Sequence, residues 1–515
     1  MPRGPLRRSA SITDLRFTLR RVFGKESFRP LQEEVIAAVL EGNDVFLCAA
    51  TSFGKSLCYQ LPAVVSLGVT VVISPLLALM TNQVQAARGL GIKVECINGR
   101  TPYQERVRIE TDLLCGHPST KLLYVTPELC ATNHFRDLIT KIHRQGQLVR
   151  IAIDEAHCIS EWGHDFRPAY KDLIWLKASL NCPTVPVMAV TATATPQVRE
   201  DIFKFLGLVK TKTKTFSTST ARPNIHYEVQ YFSESNPENG DDDVFPYLLS
   251  RLNFMHRRRV LRLQCLREQD PKAVMAPITG IIYVSYRATA DSLASKLSDA
   301  GVRAQSYHAG LEDIQRQKVQ TSFLRFATED PRLLSQQQSR PGEGGNDMMS
   351  SSFNIMCATT AFGMGIDIPT IRFVIHYGLP RGMESFSQES GRAGRDNKAA
   401  SSVILYTREE KERSEFRARS DANREKSKAK AESRLRSLQS VITFCENTSV
   451  CRHDLLSRYF GGDGGAGSSA ECRWACDVCK EGPTKLKRRK EKGLATEHEA
   501  FEFTQRQGVQ DYEYE

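Results

Sequence analysis

The sequence predicts an α/β protein made of two tandem, doubly wound parallel-sheet lobes followed by a small helical metal-binding module. Three observations carry this. Short apolar runs rich in β-branched residues alternate with helix-length segments, as expected of strands covered on both faces by crossover helices. The alternation occurs twice, in two series that separate near Lys214. Four of the fourteen cysteines fall between Cys451 and Cys479, while the other ten are scattered from Cys48 to Cys445.

In the first series VFLCAA, TVVIS, KLLYVT, VRIAIDE and VPVMAVTAT read as strands, with helices over Lys55 to Leu67 and Leu77 to Leu90 between them. Ser11 to Glu41 shows helical spacing ahead of the first strand. In the second series GIIYVS, NIMCATT, IRFVIHY and SSVILYT are the strands, and Ala288 to Ala300 and Leu311 to Phe326 the helices. Two stretches interrupt it and read as mobile surface insertions. One is acidic from Ser233 to Asp243 and then basic from Arg257 to Arg262; the other, Thr328 to Ser352, is rich in Ser, Gln, Gly and Pro. Arg408 to Leu438 reads as one charged helical stretch. The expected organisation is a tail at 1–18, a first lobe at 19–214 and a second lobe at 215–407 with insertions near 233–275 and 328–352. A helical module carrying the clustered cysteines at 408–482 and a disordered tail at 483–515 complete it.

The chain has 515 residues and a formal charge of +11, with 41% hydrophobic and 25% charged residues, so it belongs with soluble globular proteins that meet a polyanion. No apolar run approaches the ~20 residues of a membrane span, and the N-terminal residues lack the apolar core of a secretory signal. Cysteines this dilute do not make a disulfide scaffold.

The strongest motif is AATSFGKS, Ala49 to Ser56, placed where a strand gives way to a helix. Backbone N–H groups of Thr51, Ser52, Phe53 and Gly54 can cradle phosphates there. Lys55 can reach the β and γ phosphates of ATP, and the Ser56 hydroxyl can ligate Mg²⁺. Ala49 and Ser52 stand where stricter loops of this kind carry Gly. After the strand VRIAI come Asp154, to hold Mg²⁺, and Glu155, to polarise an attacking water; helix capping is the alternative role for such a pair. His157 reads equally as a core or capping histidine.

With these residues the sequence resembles a superfamily-two helicase, and specifically the RecQ family of DNA helicases. The resemblance runs from about Leu19 to Lys480. FGKESFRPLQ resembles the element in which Gln32 would read adenine and Arg29 support it; Lys25 stands where many relatives place an aromatic or apolar residue. VISPLLALMTNQV and YVTPE resemble single-strand contact motifs, which implies DNA contacts by Ser74, Pro75, Thr126 and Pro127. CISEWGHDFRPAY resembles the family's aromatic-rich loop: Trp162 and Phe166 would stack on bases, and His164 and Arg167 would link DNA to the nucleotide site. TATAT resembles the motif that couples the lobes, although its Thr hydroxyls equally suit a cap on the helix starting at Pro196.

In the second lobe ATTAFGMGID and QESGRAGRD match the last two helicase motifs. Gln388, Arg392 and Arg395 are implied at the nucleotide, with Arg395 as the finger and Arg392, expected one helical turn away, as its support. His308 of YHAGL and Arg287 are implied in the DNA track.

Cys472, Cys476 and Cys479, with Cys451 upstream, suit a closed structural Zn²⁺ site, Cys445 or His453 being alternatives to Cys451. KLKRRKEK, Lys485 to Lys492, reads as a nuclear localisation signal, a phosphate-binding tail or a solvated charge run. The resemblance implies an ATP-dependent 3′ to 5′ DNA helicase of the nucleus, of a short-tailed subgroup lacking the winged-helix and C-terminal helical domains of longer relatives. DNA repair, recombination and replication would be its setting, with single-stranded and forked DNA and repair or replication proteins as partners and no membrane. A nucleic-acid annealing or scaffold protein and an RNA helicase are the rival readings.

Overall fold

The computed structural model describes residues 12–50, 53–160, 167–218, 222–232, 244–332, 349–363, 368–425, 427–461, 472 and 475–494. The chain divides into two compact units, the first made of the residues up to Thr220 together with the short segments Met364–Ile366 and Tyr459–Gly462, the second of the remainder.

The first unit holds a seven-stranded parallel sheet. Its strands are β1 (Val45–Cys48), β2 (Val69–Ile73), β3 (Val94–Ile97), β4 (Leu122–Val125), β5 (Leu148–Ile153), β6 (Val187–Thr191) and β7 (Lys214–Ser217), in the order β3-β4-β2-β5-β6-β1-β7. The apolar runs are continuous because successive side chains point to opposite faces and both faces are buried. Phe46 and Cys48 enter one core, with Val71 and Ile73, while Val45 and Leu47 enter the other, with Val72. The helices Leu57–Val65 and Leu77–Gly89 lie where the sequence places them. Ser11 to Glu41 resolves into two helices, Ile12–Arg21 and Gln32–Leu40, because Gly24 takes φ +60° and Leu31 φ +68° between them.

The second unit holds a six-stranded parallel sheet of β8 (Ile225–Phe232), β9 (Ile278–Val284), β10 (Ala304–Tyr307), β11 (Phe353–Ala358), β12 (Ile371–Tyr377) and β13 (Ala400–Thr407). The order is β10-β11-β9-β12-β13-β8. The nine strands read from the sequence are the central ones, and the four it missed, β3, β7, β8 and β10, are the outermost strands of the two sheets.

Three expectations are corrected. The basic half of the first insertion is no surface loop. Val244–Gln269 is a 26-residue helix whose first half drives Val244, Leu248 and Leu252 into the core, while its second half is exposed; Ser233 to Asp243 lies outside the described residues. Arg408 to Leu438 is two helices, Arg408–Arg424 and Lys428–Glu446. Third, the basic run is not a disordered tail. Pro483–Gly493 is a helix with Leu486 fully buried, and Arg489 donates to the Val229 carbonyl at 2.8 Å while Lys490 donates to the Glu446 carbonyl at 2.9 Å.

That helix and the cysteine segment cover an exposed sheet edge. β8 alternates buried and half-buried residues, and its outer N–H groups find partners: Tyr227 N–H donates to the Ala475 carbonyl and Val229 N–H to Asp477, at 3.1 and 3.0 Å. An open strand edge invites pairing with other chains, so this cover has a protective role. Asp477 is itself fixed by the fully buried Arg452, with nitrogen–oxygen distances of 2.9 and 3.0 Å.

Candidate active site and metal centre

At the carboxyl end of β1 the chain turns through Phe53–Ser56 into the helix at Leu57, while Asp154 directly follows the end of β5 at Ile153. The parallel pairing of β1 with β6, β6 with β5 and β5 with β2 brings these ends to the same side of the sheet. Gln83, on the helix after β2, lies between the two motifs: its Nε2 is 3.3 Å from Ser56 Oγ and 3.5 Å from Asp154 Oδ2. Tyr59, on the phosphate-loop helix, donates to Asp154 Oδ2 at 3.3 Å and to Gln83 Oε1 at 2.8 Å. The sequence reading did not include Gln83 and Tyr59; a polar pair facing inward on helices of otherwise apolar buried faces was the available signal.

Asp154 is buried, and burial, reinforced by the neighbouring Glu155 carboxylate, pushes it up to about 6. A buried carboxylate with the Ser56 hydroxyl close by, both reached by the Gln83 amide nitrogen, suits a hard divalent cation, which would replace the lost hydration. Ser56 and Asp154 thus fit Mg²⁺ by their chemistry.

Lys55 Nζ donates to the Ala49 carbonyl at 2.9 Å and to that of Ala50 at 3.4 Å, bending back over its own loop. Gly54 is required here: its φ is +82°, and a Cβ would meet Gln32 Nε2 at 2.8 Å. Gln32 is buried; its Nε2 donates to the Phe53 carbonyl at 2.6 Å and its Oε1 accepts from Arg29 N–H at 2.9 Å. The Gln32 element and the phosphate loop are therefore one unit, with Arg29 and Lys25 exposed at its rim. Thr51 and Ser52 lie outside the described residues.

Glu155 takes φ +49°, which turns its side chain so that Oε2 lies 3.3 Å from His157 Nδ1. The same nitrogen is 3.1 Å from Thr191 Oγ1 at the end of β6. His157 is thus a buried link between the carboxylate pair and TATAT, and Thr195 caps the following helix through Val198 N–H.

The expected DNA contacts fare unevenly. Ser74 and Thr126 directly follow the ends of the neighbouring strands β2 and β4, with Ser74 N–H bonded to the Val125 carbonyl at 3.0 Å and Pro75 and Pro127 buried beside them. Thr126 Oγ1 caps Pro127–Cys130 by accepting from Leu129 N–H, and Ser74 Oγ is buried with no partner among the described residues. Arg167 stands 3.4 Å from Glu128, next to Thr126 and Pro127. Trp162, His164 and Phe166 lie outside the described residues. His308, expected in the DNA track, is buried, with its Nε2 3.0 Å from both Asp291 oxygens and its Nδ1 accepting from Gly310 N–H at 3.2 Å.

In the second unit Gln388 lies on the helix Met383–Ser390, which ends before the arginines. Arg392 and Arg395 are therefore not one helical turn apart but in a run of tight turns, Arg392 N–H bonding to the Glu389 carbonyl and Ala393 N–H to that of Ser390. The guanidinium of Arg392 is buried and bonds the Gly363 carbonyl; a Cβ at Gly363 would collide with it. Arg222, unnoticed in the sequence, holds the loop from behind, donating to the carbonyls of Gly391, Ala393 and Gly394 at 2.7, 2.8 and 2.5 Å.

Cys451, Cys472, Cys476 and Cys479 bring their sulfurs within 4.8 Å of one another. Tetrahedral Zn–S bonds of about 2.3 Å set sulfurs about 3.8 Å apart, and Cys451 and Cys476 are 3.9 Å apart. The crowding drives Cys451 towards thiolate, chiefly through its hydrogen bond with Cys476. Four converging thiols, none in a disulfide, fit structural Zn²⁺. His453 faces the cluster, Nδ1 lying 3.5 Å from Cys472 Sγ and 4.0 Å from Cys451 Sγ.

Three family models match: DEAD/DEAH box helicase over residues 29–202, helicase conserved C-terminal domain over 335–397, and RecQ zinc-binding over 408–480. The chain is 37% identical to ATP-dependent DNA helicase Q5 of Rattus norvegicus, over 90% of this chain and 43% of that protein. It is 36% identical to ATP-dependent DNA helicase RecQ of Haemophilus influenzae, over 91% of this chain and 64% of that one. The chain thus spans under half of the rat relative's length. Among solved structures, the helicase MrfA bound to DNA aligns with TM-score 0.54 at 16% identity, over 79% of this chain and 51% of that one. The Dbp5 protein of S. cerevisiae, bound to RNA and ADP BeF3, aligns at 0.51 and 15%, over 78% and 90%. These two likenesses show the fold: two RecA-like lobes. Among the described residues no helix is long and apolar enough to cross a membrane.

Proposed function

From the premise that the chain belongs to the RecQ family of superfamily-two helicases, we propose that it is an ATP-dependent 3′ to 5′ DNA helicase that couples hydrolysis to movement along single-stranded DNA and to duplex unwinding. The observation that carries the reading is the convergence of Ser56, Gln83, Tyr59 and Asp154 below the phosphate loop.

Lys55 leaves the loop carbonyls for the β and γ phosphates, and Gln32, supported by Arg29, reads adenine once its amide turns from the Phe53 and Gly54 carbonyls. Mg²⁺, held by Ser56 and Asp154, would neutralise phosphate charge. Glu155 takes the proton of the attacking water, and Arg395, supported by Arg392, meets the charge that develops on the γ-phosphate, a contribution of about 10³ to 10⁵ in rate in related chemistry. Gln83 and Tyr59 orient Asp154. Ser74, Pro75, Thr126, Pro127 and Arg167 form one stretch of the strand track, and Trp162 and Phe166 the stacking part.

We assign 19–214 and 215–407 to the two lobes and 408–482 to the zinc module, and propose a nuclear role in DNA repair, recombination or replication, which rests on the family and on the basic run Lys485 to Lys492. Steady-state ATPase with and without single-stranded DNA, against Glu155→Gln, tests the reading. Stimulation lost in that variant supports it; activity equal to the variant's would return the scaffold reading, and preference for RNA the RNA-helicase one.

A further inference from the structure

The arginine loop has no regular secondary structure to hold it. Between the end of its helix at Ser390 and the start of β13 at Ala400 it is a series of turns, with Gly394 at φ +58°. Such a segment keeps its shape only where something outside it saturates its carbonyls. Arg222 does so: one buried guanidinium accepts no bond and donates three, to Gly391, Ala393 and Gly394, bracketing Arg392 and ending next to Arg395. Asn224 adds a fourth bond, Nδ2 to the Gly394 carbonyl at 2.9 Å. The rigid, planar fork of Arg suits several fixed carbonyls in a way that the single ammonium of Lys does not.

Arg222 is in turn tied to the cysteine cluster. Its own carbonyl lies 3.2 Å from His453 Nε2, and His453 Nδ1 faces Cys472 and Cys451. Nε2–H donates to the Arg222 carbonyl, the other ring nitrogen lies against the cysteine sulfurs, and Tyr227 fixes the ring edge-on with ring centroids 4.9 Å apart. His453 is buried.

We propose that Arg222 is the positioning residue of the arginine loop and that His453 makes its placement depend on the folded cysteine cluster, so that the zinc module sets how the second lobe presents Arg392 and Arg395. This goes beyond a purely architectural role for the module, and it rests on the reading that the loop serves ATP hydrolysis.

The test uses the full chain in two measurements. Amide hydrogen exchange over residues 391–398 reads positioning without any activity. Arg222→Lys should raise exchange there at least about tenfold while leaving β9 and β12 protected, and His453→Ala should do the same where His453→Gln, which keeps a donor near the Nε2 position, restores protection. Zinc content, measured on each variant, should stay at the wild-type value. Steady-state ATPase reads the consequence: Arg222→Lys should lower kcat by about 10- to 100-fold, the cost of roughly ångström-scale misplacement, with the KM for ATP and the affinity for single-stranded DNA within about twofold. In an Arg395→Ala background Arg222→Lys should add no further loss. Unchanged exchange in Arg222→Lys overturns the proposal whatever the activity, and full additivity with Arg395→Ala overturns its catalytic part. A wild type without ATPase but with the expected exchange pattern would remove the helicase reading and leave the positioning link standing.

Discussion

The phosphate loop of the first unit and the arginine loop of the second, the two segments proposed to serve ATP hydrolysis, are built in opposite ways. The first is held by residues close to it in space along one sheet end: β1, the helix after it, and the ends of β2 and β5, each with its own short motif. The second has no helix or strand of its own and is held by Arg222, some 170 residues away in sequence, as the separations of 169 to 172 show. A site at strand ends inherits precision from the sheet, whereas a site on turns needs buried donors brought from elsewhere.

Removing a cysteine should have the largest effect. Cys476→Ser should lose bound zinc, uncover the outer edge of β8 and make the second unit prone to aggregation, since structural Zn²⁺ contributes about 10 kcal/mol or more to such modules; elemental analysis and light scattering read both, and wild-type protein free of zinc would sink the assignment. Next comes Asp477→Asn. It leaves buried Arg452 without its charge partner and should cost about 3 to 5 kcal/mol in chemical denaturation. An unchanged midpoint would mean that the pair is not what fastens the module.

Smaller effects are expected in the first lobe. Lys55→Ala should abolish hydrolysis with little loss of fold or DNA affinity, and near-normal turnover would refute the loop assignment. Gly54→Ala, strained at φ +82° and pressed against Gln32, should destabilise by about 1 to 3 kcal/mol and raise the KM for ATP. An unaffected KM would separate Gln32 from the nucleotide.

The subtlest prediction concerns pH. Asp154 is pushed up to about 6 from an ordinary 3.8, so the folded chain holds its proton more tightly than the unfolded one. In the metal-free protein its contribution to stability is most favourable below about pH 4 and is lost as pH rises through 6. Asp154→Asn should therefore raise stability at pH 7.5 by about 1 kcal/mol while abolishing hydrolysis. Mg²⁺ competes with that proton, so the Mg²⁺ needed for half-maximal ATPase should rise as pH falls below about 6; a requirement flat from pH 5 to 8 would remove Asp154 from the metal site.

Legibility in the sequence followed burial. Every strand read in advance is central in its sheet, since burial on both faces writes a continuous apolar run. β3, with Glu95 and Cys96 half-exposed, β7, largely exposed, and β10, half-buried throughout, carry no such run. β8 does carry a signal, the alternation in IHYEVQYF, which belongs to a strand with one face in the core rather than to a doubly covered one. The basic run illustrates the converse. Its charge is plain in the sequence, but Leu486 and the partners of Arg489 and Lys490 make it a docked helix.

The sequence by itself determined the two α/β series, the phosphate loop, the carboxylate pair and the four thiols, because each is written in local periodicity or in residues a few positions apart. Only the tertiary structure decided that Gln32 braces the phosphate loop, that Gln83 and Tyr59 orient Asp154, that His308 turns inward, and that Arg222 and His453 join the cysteine cluster to the arginine loop. These are single polar side chains meeting backbone or side chains far along the sequence. Their partners are fixed by how strands pair and helices pack, and a pairwise hydrogen bond leaves no periodic trace in the chain.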